Sequence, residues 1–208
     1  MRFTQVADNG GLAASTHFVG EGITGINPNT SATAEGTIGF YAKLGDTYGV
    51  VTAGHVVQVS NGFISEFNTL FYTATAIKFS NSGPIDATFC QIKTSANNVT
   101  GSILTIYNYN VTIYLYDNPV EGSQVSVYGA KTNQRVSTTI LSTSSTHPID
   151  GVYYYNLIEL DDKPVPGDSG GPILFGSTLI GIVHGFHGGN GLACKAKYII
   201  DTWGLTGS

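Results

Sequence analysis

The 208-residue sequence predicts an all-β protein of barrel or sandwich type. Three observations carry that expectation. Helical periodicity is scarce, while short runs rich in Val, Ile, Thr, Tyr and Phe recur along the chain. Gly, Asn, Asp and Ser separate those runs, the residues that close turns between strands. Charge is sparse: Asp, Glu, Lys and Arg make up 11% of the residues, against roughly 25% in an average soluble domain. Such a composition suits an extracellular β protein better than a cytosolic helical one.

In chain order, the strand candidates begin with TIGFYAK and YGVVTAG, where β-branched and aromatic residues follow Gly or Asp turns. NTLFYTATAIKF and DATFCQI follow, then SILTIYNY and VTIYLY in an Asn- and Tyr-rich stretch. The segment YDNPVEGS, Tyr116 to Ser123, combines Pro, Gly and acids near the middle of the chain and reads as a linker. Beyond it come QVSVYGA, VSTTILST, VYYYNLIEL, GGPILF, TLIGIVHG and LACKAKYI. About six strands on each side of the linker would give two similar halves. The C-terminal KAKYIIDTWGL is the one piece expected to close as a short helix.

A chain of this length buries roughly 70% of its unfolded surface, so disulfides are not required for stability. Nine Lys and Arg against fourteen Asp and Glu, with no basic run, argue against a nucleic-acid partner. No stretch approaches the ~18 apolar residues of a membrane span, and the opening MRFTQVADNGG has no apolar leader core. Cys90 and Cys194 sit in apolar, strand-like contexts. Their simplest reading is two buried free thiols. Asn29, Asn98 and Asn110 begin glycosylation tripeptides, which also arise by chance in a chain rich in Asn and Thr.

Three segments carry chemistry. His55 ends the apolar run VVTAGH, where small residues let the backbone turn and present an imidazole at a sheet edge. Asp86 opens the strand of GPIDATFCQI. Ser169 lies in PGDSGGPI, between Asp168 and the pair Gly170 and Gly171. Glycine at 167 can take a positive φ and expose its N–H, so the N–H groups of Gly167 and Ser169 can point at one spot. Singly, each has a plain structural reading as an edge histidine, a strand-start turn and a β-turn. Together, a weak nucleophile, a base and an orienting acid are the parts that serine hydrolysis needs. No HExxH or paired CxxC cluster occurs, so no metal or cofactor is expected.

VTAGHVV, IDATF and PGDSGGPI resemble the three signature segments of chymotrypsin-fold serine proteases, in that family's order. IGFYAKLGDTYGVVTAGH, GSQVSVYGAKT and GIVHGF resemble the streptogrisin and α-lytic protease branch in particular. The resemblance spans about residues 35–200 and implies two packed six-stranded antiparallel Greek-key barrels with a short C-terminal helix. Residues 1–115 would form the first barrel, with His55 and Asp86, and 116–208 the second, with Ser169 and the substrate pocket. It further implies His55 as general base, Asp86 as orienting carboxylate, Ser169 as nucleophile, and Gly167 and Ser169 as oxyanion donors. His184, Gly185 and Phe186 match the strand that binds the substrate backbone. The function implied is a secreted, monomeric serine endopeptidase acting on polypeptides without nucleic-acid or membrane partners. The alternative is a catalytically silent binding protein on the same fold.

The sequence departs from the family in three places. Val56 stands where a cysteine often follows the histidine. His184 stands where a serine usually sits beside the triad acid, free either to bond Asp86 or to line the cleft. Val127 or Tyr128 holds the place of an internal arginine that partners the acid before the serine, leaving Lys131, Arg135 and a freed N-terminus as candidates for Asp168. His187, in FHGGNG, reads as a loop histidine. Asp161, Asp162 and Lys163 fall near the expected pocket base and leave the side-chain preference open.

Overall fold

The computed structural model describes residues 19–26, 32–58, 63–66, 73–92, 104–106, 109–113 and 118–206. The sequons at Asn29 and Asn98 and the chain start lie outside them. Asn110 falls in the strand Tyr109–Ile113.

Sixteen strands and one helix make up the described chain. The first sheet is built from β1 (Gly22–Ile26), β2 (Thr33–Thr37), β3 (Phe40–Leu44), β4 (Thr47–Thr52), β5 (Phe63–Glu66), β6 (Thr73–Ser82) and β7 (Ile85–Ile92). Among the described residues, β8 (Leu104–Ile106) and β9 (Tyr109–Ile113) pair only with each other. The second half comprises β10 (Gln124–Gly129), β11 (Gln134–Ile149), β12 (Val152–Leu160), β13 (Pro172–Phe175), β14 (Thr178–His187) and β15 (Asn190–Lys195). Helix α1 (Ala196–Trp203) and β16 (Leu205–Thr206) end the described chain.

The second half closes into a six-stranded barrel in the order β10-β11-β12-β15-β14-β13. The first is an eight-stranded antiparallel sheet, β16-β3-β4-β7-β6-β5-β1-β2, so the expected strand set acquires extra pieces at both ends. β16 pairs with β3, which returns the end of the chain to the first sheet. The all-β two-barrel expectation and the short C-terminal helix hold. The helix buries Ala196, Ile199 and Ile200, the i, i+3 and i+4 positions of one face, and Gly204 caps it at φ 63°.

Alternation sets the cores. Val125, Val127, Ile140, Ile158, Leu160, Ile173, Ile180, Val183 and Ala193 fill the closed barrel. A second cluster runs between the halves, from Phe40, Tyr41 and Phe89 to Leu157, Ile182, Leu192 and Ile199. Burying each of these larger side chains contributes about 1.5–3 kcal/mol. The seam between the halves is therefore a packed core, and the candidate residues converge along it.

Backbone contacts lock that seam. The Gly83 N–H donates to the Tyr153 carbonyl at 3.0 Å, and the Tyr155 N–H donates to the Gly83 carbonyl at 3.1 Å. The β6–β7 turn that precedes Asp86 is thus stitched to β12. The Thr37 N–H donates to the Ser169 carbonyl at 2.8 Å, tying the serine turn to β2.

Candidate active site

His55 sits in a turn just past β4, where the Val56 and Val57 N–H groups both reach back to the Ala53 carbonyl, at 3.2 and 3.4 Å. Gly54 is required there by close approach. A Cβ at 54 would stand 2.6 Å from the Ser80 carbonyl oxygen and 2.7 Å from Asp86 Oδ1. The turn is therefore free to lay its backbone on the carboxylate, and the His55 N–H donates to Asp86 Oδ1 at 2.9 Å.

Asp86, the second residue of β7, is completely buried. Its Oδ2 receives His55 Nδ1 at 2.6 Å and His184 Nδ1 at 2.6 Å. Its backbone N–H donates to Cys194 Sγ at 3.2 Å. A buried charge costs several kcal/mol unless it is paired and hydrogen-bonded. Burial alone would raise the carboxyl's proton affinity, but hydrogen bonds from His184 and His55, together with their charges, outweigh it and hold Asp86 well below the usual carboxylate range. At His55 burial disfavours the charged ring, yet the Asp86 hydrogen bond and charge leave its pKa raised.

Ser169 occupies the turn between β12 and β13. Gly170, at φ +89°, is the position a side chain would block, since a Cβ would meet Thr52 Oγ1 at 2.3 Å and the Thr37 carbonyl oxygen at 2.5 Å. This close contact seats the serine turn against the end of β4. Gly167 takes the expected positive φ, at +103°, and its carbonyl accepts the Thr37 hydroxyl at 2.9 Å. The N–H groups of Asp168 and Gly171 close the turn onto Val165 and Asp168 carbonyls at 3.0 and 2.9 Å. Ser169 Oγ donates to the His184 carbonyl at 3.5 Å. Among the described residues no Ser169–His55 hydrogen bond is formed; catalytic contacts of this kind often tighten only when substrate binds.

Asp168 is buried and is held by neutral donors. The Thr132 N–H reaches Oδ1 at 2.9 Å, the Thr132 hydroxyl donates to Oδ2, and the Val165 N–H donates to Oδ2 at 3.3 Å. Thr132 lies beside the candidates named from sequence. A threonine carries no charge, so its residue type gives no sign in the sequence that it partners a buried acid. Lys131 instead meets Glu35 at 3.4 Å on the surface, and Arg135 Nε donates to Ser126 Oγ at 2.8 Å.

His184 is nearly buried, at 6% exposure. Its ring turns inward to Asp86 rather than outward to the cleft, and it meets the Tyr154 ring at 4.4 Å and the His55 ring edge-on at 5.7 Å. Tyr154 in turn donates its hydroxyl to Asn81 Oδ1, across the seam. Gly185 is half-buried and Phe186 exposed, with the Lys163 ammonium 3.7 Å above the Phe186 ring. Lys163, Asp162 and Pro164 also line a small cavity with Asp168 and Val183. His187, at the end of β14, stacks on His147 with ring centroids 4.8 Å apart, and His147 Nε2 lies 3.5 Å from Glu159 Oε2. Cys90 and Cys194 are free and buried.

His55, Asp86 and His184 bring metal-ligand-type atoms within 4.8 Å of one another. Both Nδ1 atoms sit at hydrogen-bond distance from one carboxylate oxygen. A cation bound by both nitrogens would have to displace both of those protons. The donor set is already satisfied by itself.

No protein-family model matches the sequence, and no curated protein does. The likeness lies in solved structures. Thermobifida fusca protease A is similar at 25% identity over 91% of this chain and 96% of its own, with a TM-score of 0.72. Nocardiopsis protease is similar at 23% identity over 89% and 96%, with a TM-score of 0.72. An α-lytic protease homolog is similar at 18% identity over 91% and 97%, with a TM-score of 0.70. The fold is the chymotrypsin-like double β-barrel fold.

Proposed function

We propose that this chain, a chymotrypsin-fold protein with a half-exposed histidine on a buried aspartate beside a serine turn, is a serine endopeptidase. The observation that carries the reading is the 2.6 Å contact between His55 Nδ1 and Asp86 Oδ2, at a seam against which the Ser169 turn is seated. An ionised carboxylate only accepts, so it fixes the proton on Nδ1 and leaves Nε2 as the free base.

Ser169 Oγ attacks the scissile carbonyl carbon while His55 Nε2 takes the hydroxyl proton. Asp86 stabilises the imidazolium that forms without taking its proton. The oxyanion rests on the N–H groups of Gly167 and Ser169, donors worth about 3–4 kcal/mol each in related chemistry. When the C–N bond breaks, His55 returns its proton to the leaving amine. Water, deprotonated by His55, then attacks the acyl ester, and His55 passes the water's proton to Ser169 Oγ as it leaves. The β14 segment His184-Gly185-Phe186 supplies the edge along which a peptide pairs its backbone. Thr132 and Val165 hold Asp168, and through it the Gly167 peptide, with no ionic partner required.

The two halves act as one catalytic unit, cut near residue 115, and the polypeptide is secreted. No described helix is long and apolar enough to cross a membrane. The competing reading is a protein that binds peptides on this scaffold without turnover. Incubation with a diverse peptide library separates them: the wild-type chain yields defined cleavage products that Ser169→Ala does not. A library left intact by active-site-competent wild type at every enzyme concentration rejects the endopeptidase.

A further inference from the structure

We propose that His184 is a positioning residue that sets the basicity of His55 through the carboxylate the two rings share. The inference rests on the assignment of His55 and Asp86 as base and orienting acid.

Asp86 Oδ2 receives two imidazole nitrogens at the same distance, 2.6 Å. Both rings must carry their Nδ1 protons, because an ionised carboxylate has nothing to donate. Both tautomers are thereby fixed. One negative charge is divided between two ring donors, with Oδ1 also accepting the His55 N–H. Asp86 is completely buried, so bulk water does not replenish what His184 withdraws. The charge left to stabilise an imidazolium at His55 is smaller than a carboxylate serving one ring would offer. His55 therefore gives up its proton more readily than it would beside Asp86 alone.

The surroundings make the two rings the groups that matter. β7 contributes Asp86, the turn after β4 contributes His55, β12 contributes Tyr154 and β15 contributes Cys194. Burial first, then the Asp86 charge, pushes the Tyr154 hydroxyl up to about 12, with a further contribution from Asp150 at the β11–β12 turn. Burial likewise pushes the Cys194 thiol up. Both stay neutral where a protease of this kind works. The His184 ring stands edge-on to His55, with centroids 5.7 Å apart.

The test follows the His55 ring by NMR in wild type, His184→Leu and His184→Asn. Wild type shows two strongly deshielded imidazole N–H protons, and His184→Leu shows one. The His55 midpoint rises by about half a pH unit or more in His184→Leu, roughly threefold in proton affinity. It stays at the wild-type value in His184→Asn, whose amide N–H replaces the ring donor. The acid limb of kcat/KM moves with the midpoint. A single deshielded ring proton in wild type overturns the proposal, and this reading survives even if the leucine variant does not fold. An unchanged midpoint in both variants, or an equal rise in both, overturns it as well. The NMR measurement needs no turnover. A chain that cleaves nothing would sink the endopeptidase reading and leave this one to be judged separately.

Discussion

Asp86 is the residue on which the chemistry turns, because its buried charge is tolerable only while donors surround it. Asp86→Asn replaces one acceptor oxygen with an N–H that opposes the ring protons, so His55 adopts the wrong tautomer. The expected loss is about 10⁴-fold in kcat with the fold retained, checked by steady-state kinetics beside circular dichroism. The pH profile follows from His55. Its proton affinity is raised above the ordinary 6.5, and the proposed mechanism uses the neutral ring as base, so the acid limb of kcat/KM should have its midpoint above 6.5. A midpoint well below that value would show that Asp86 is not paired with the ring. Stability runs with the same signs. The His55 contribution is fully present below the ordinary histidine value and is lost as pH rises through the raised one. The Asp86 contribution is present above the ordinary 3.8 and is lost as pH falls through its lowered value.

At the scale of elements, the turns that deliver His55 and Ser169 depend on absent side chains. Gly54→Ala places a methyl 2.7 Å from Asp86 Oδ1 and 2.6 Å from the Ser80 carbonyl oxygen. It should cost about 1–3 kcal/mol, lower Tm and reduce kcat, whereas Gly45→Ala, in open space but at φ +60°, should lower Tm by strain and leave kcat near wild type. Denaturation and kinetics on the pair separate a local clash from general destabilisation. The turns and their glycines were legible in the sequence because φ and close approach restrict residue choice. Strands bounded by turn residues and rich in apolar and β-branched residues, such as Gln124–Gly129 and Ile85–Ile92, were legible too. Weaker ones were not. GITGI and TAEGT form β1 and β2 with little apolar content, so their pairing is decided by neighbours rather than by propensity. The sixteen residues of β11 extend well past the VSTTILST run because β12 pairs with them through successive bulges. The inward turn of His184 is likewise a tertiary result, since its sequence context allowed either direction.

The whole molecule is held by a continuous seam rather than by covalent links. Leu157→Ala, deep in the cluster between the halves, should destabilise by about 2–5 kcal/mol and bring unfolding and loss of activity together in one transition. Cys90 and Cys194 are free and buried, and burial keeps both thiols protonated. Reductant should therefore leave Tm unchanged, and thiol reagents should modify the chain only after unfolding; a fall in Tm with reductant would reveal a bridge. The proposed function has the same seam bring a hydroxyl, an imidazole and a carboxylate from three distant segments to one edge, and that convergence is tested most directly by a fluorophosphonate probe followed by peptide mass mapping. The probe should add one label to the folded chain, on Ser169, and none to His55→Ala or Ser169→Ala. A folded wild-type chain that stays unlabelled, or carries its label on another residue, would contradict the assignment.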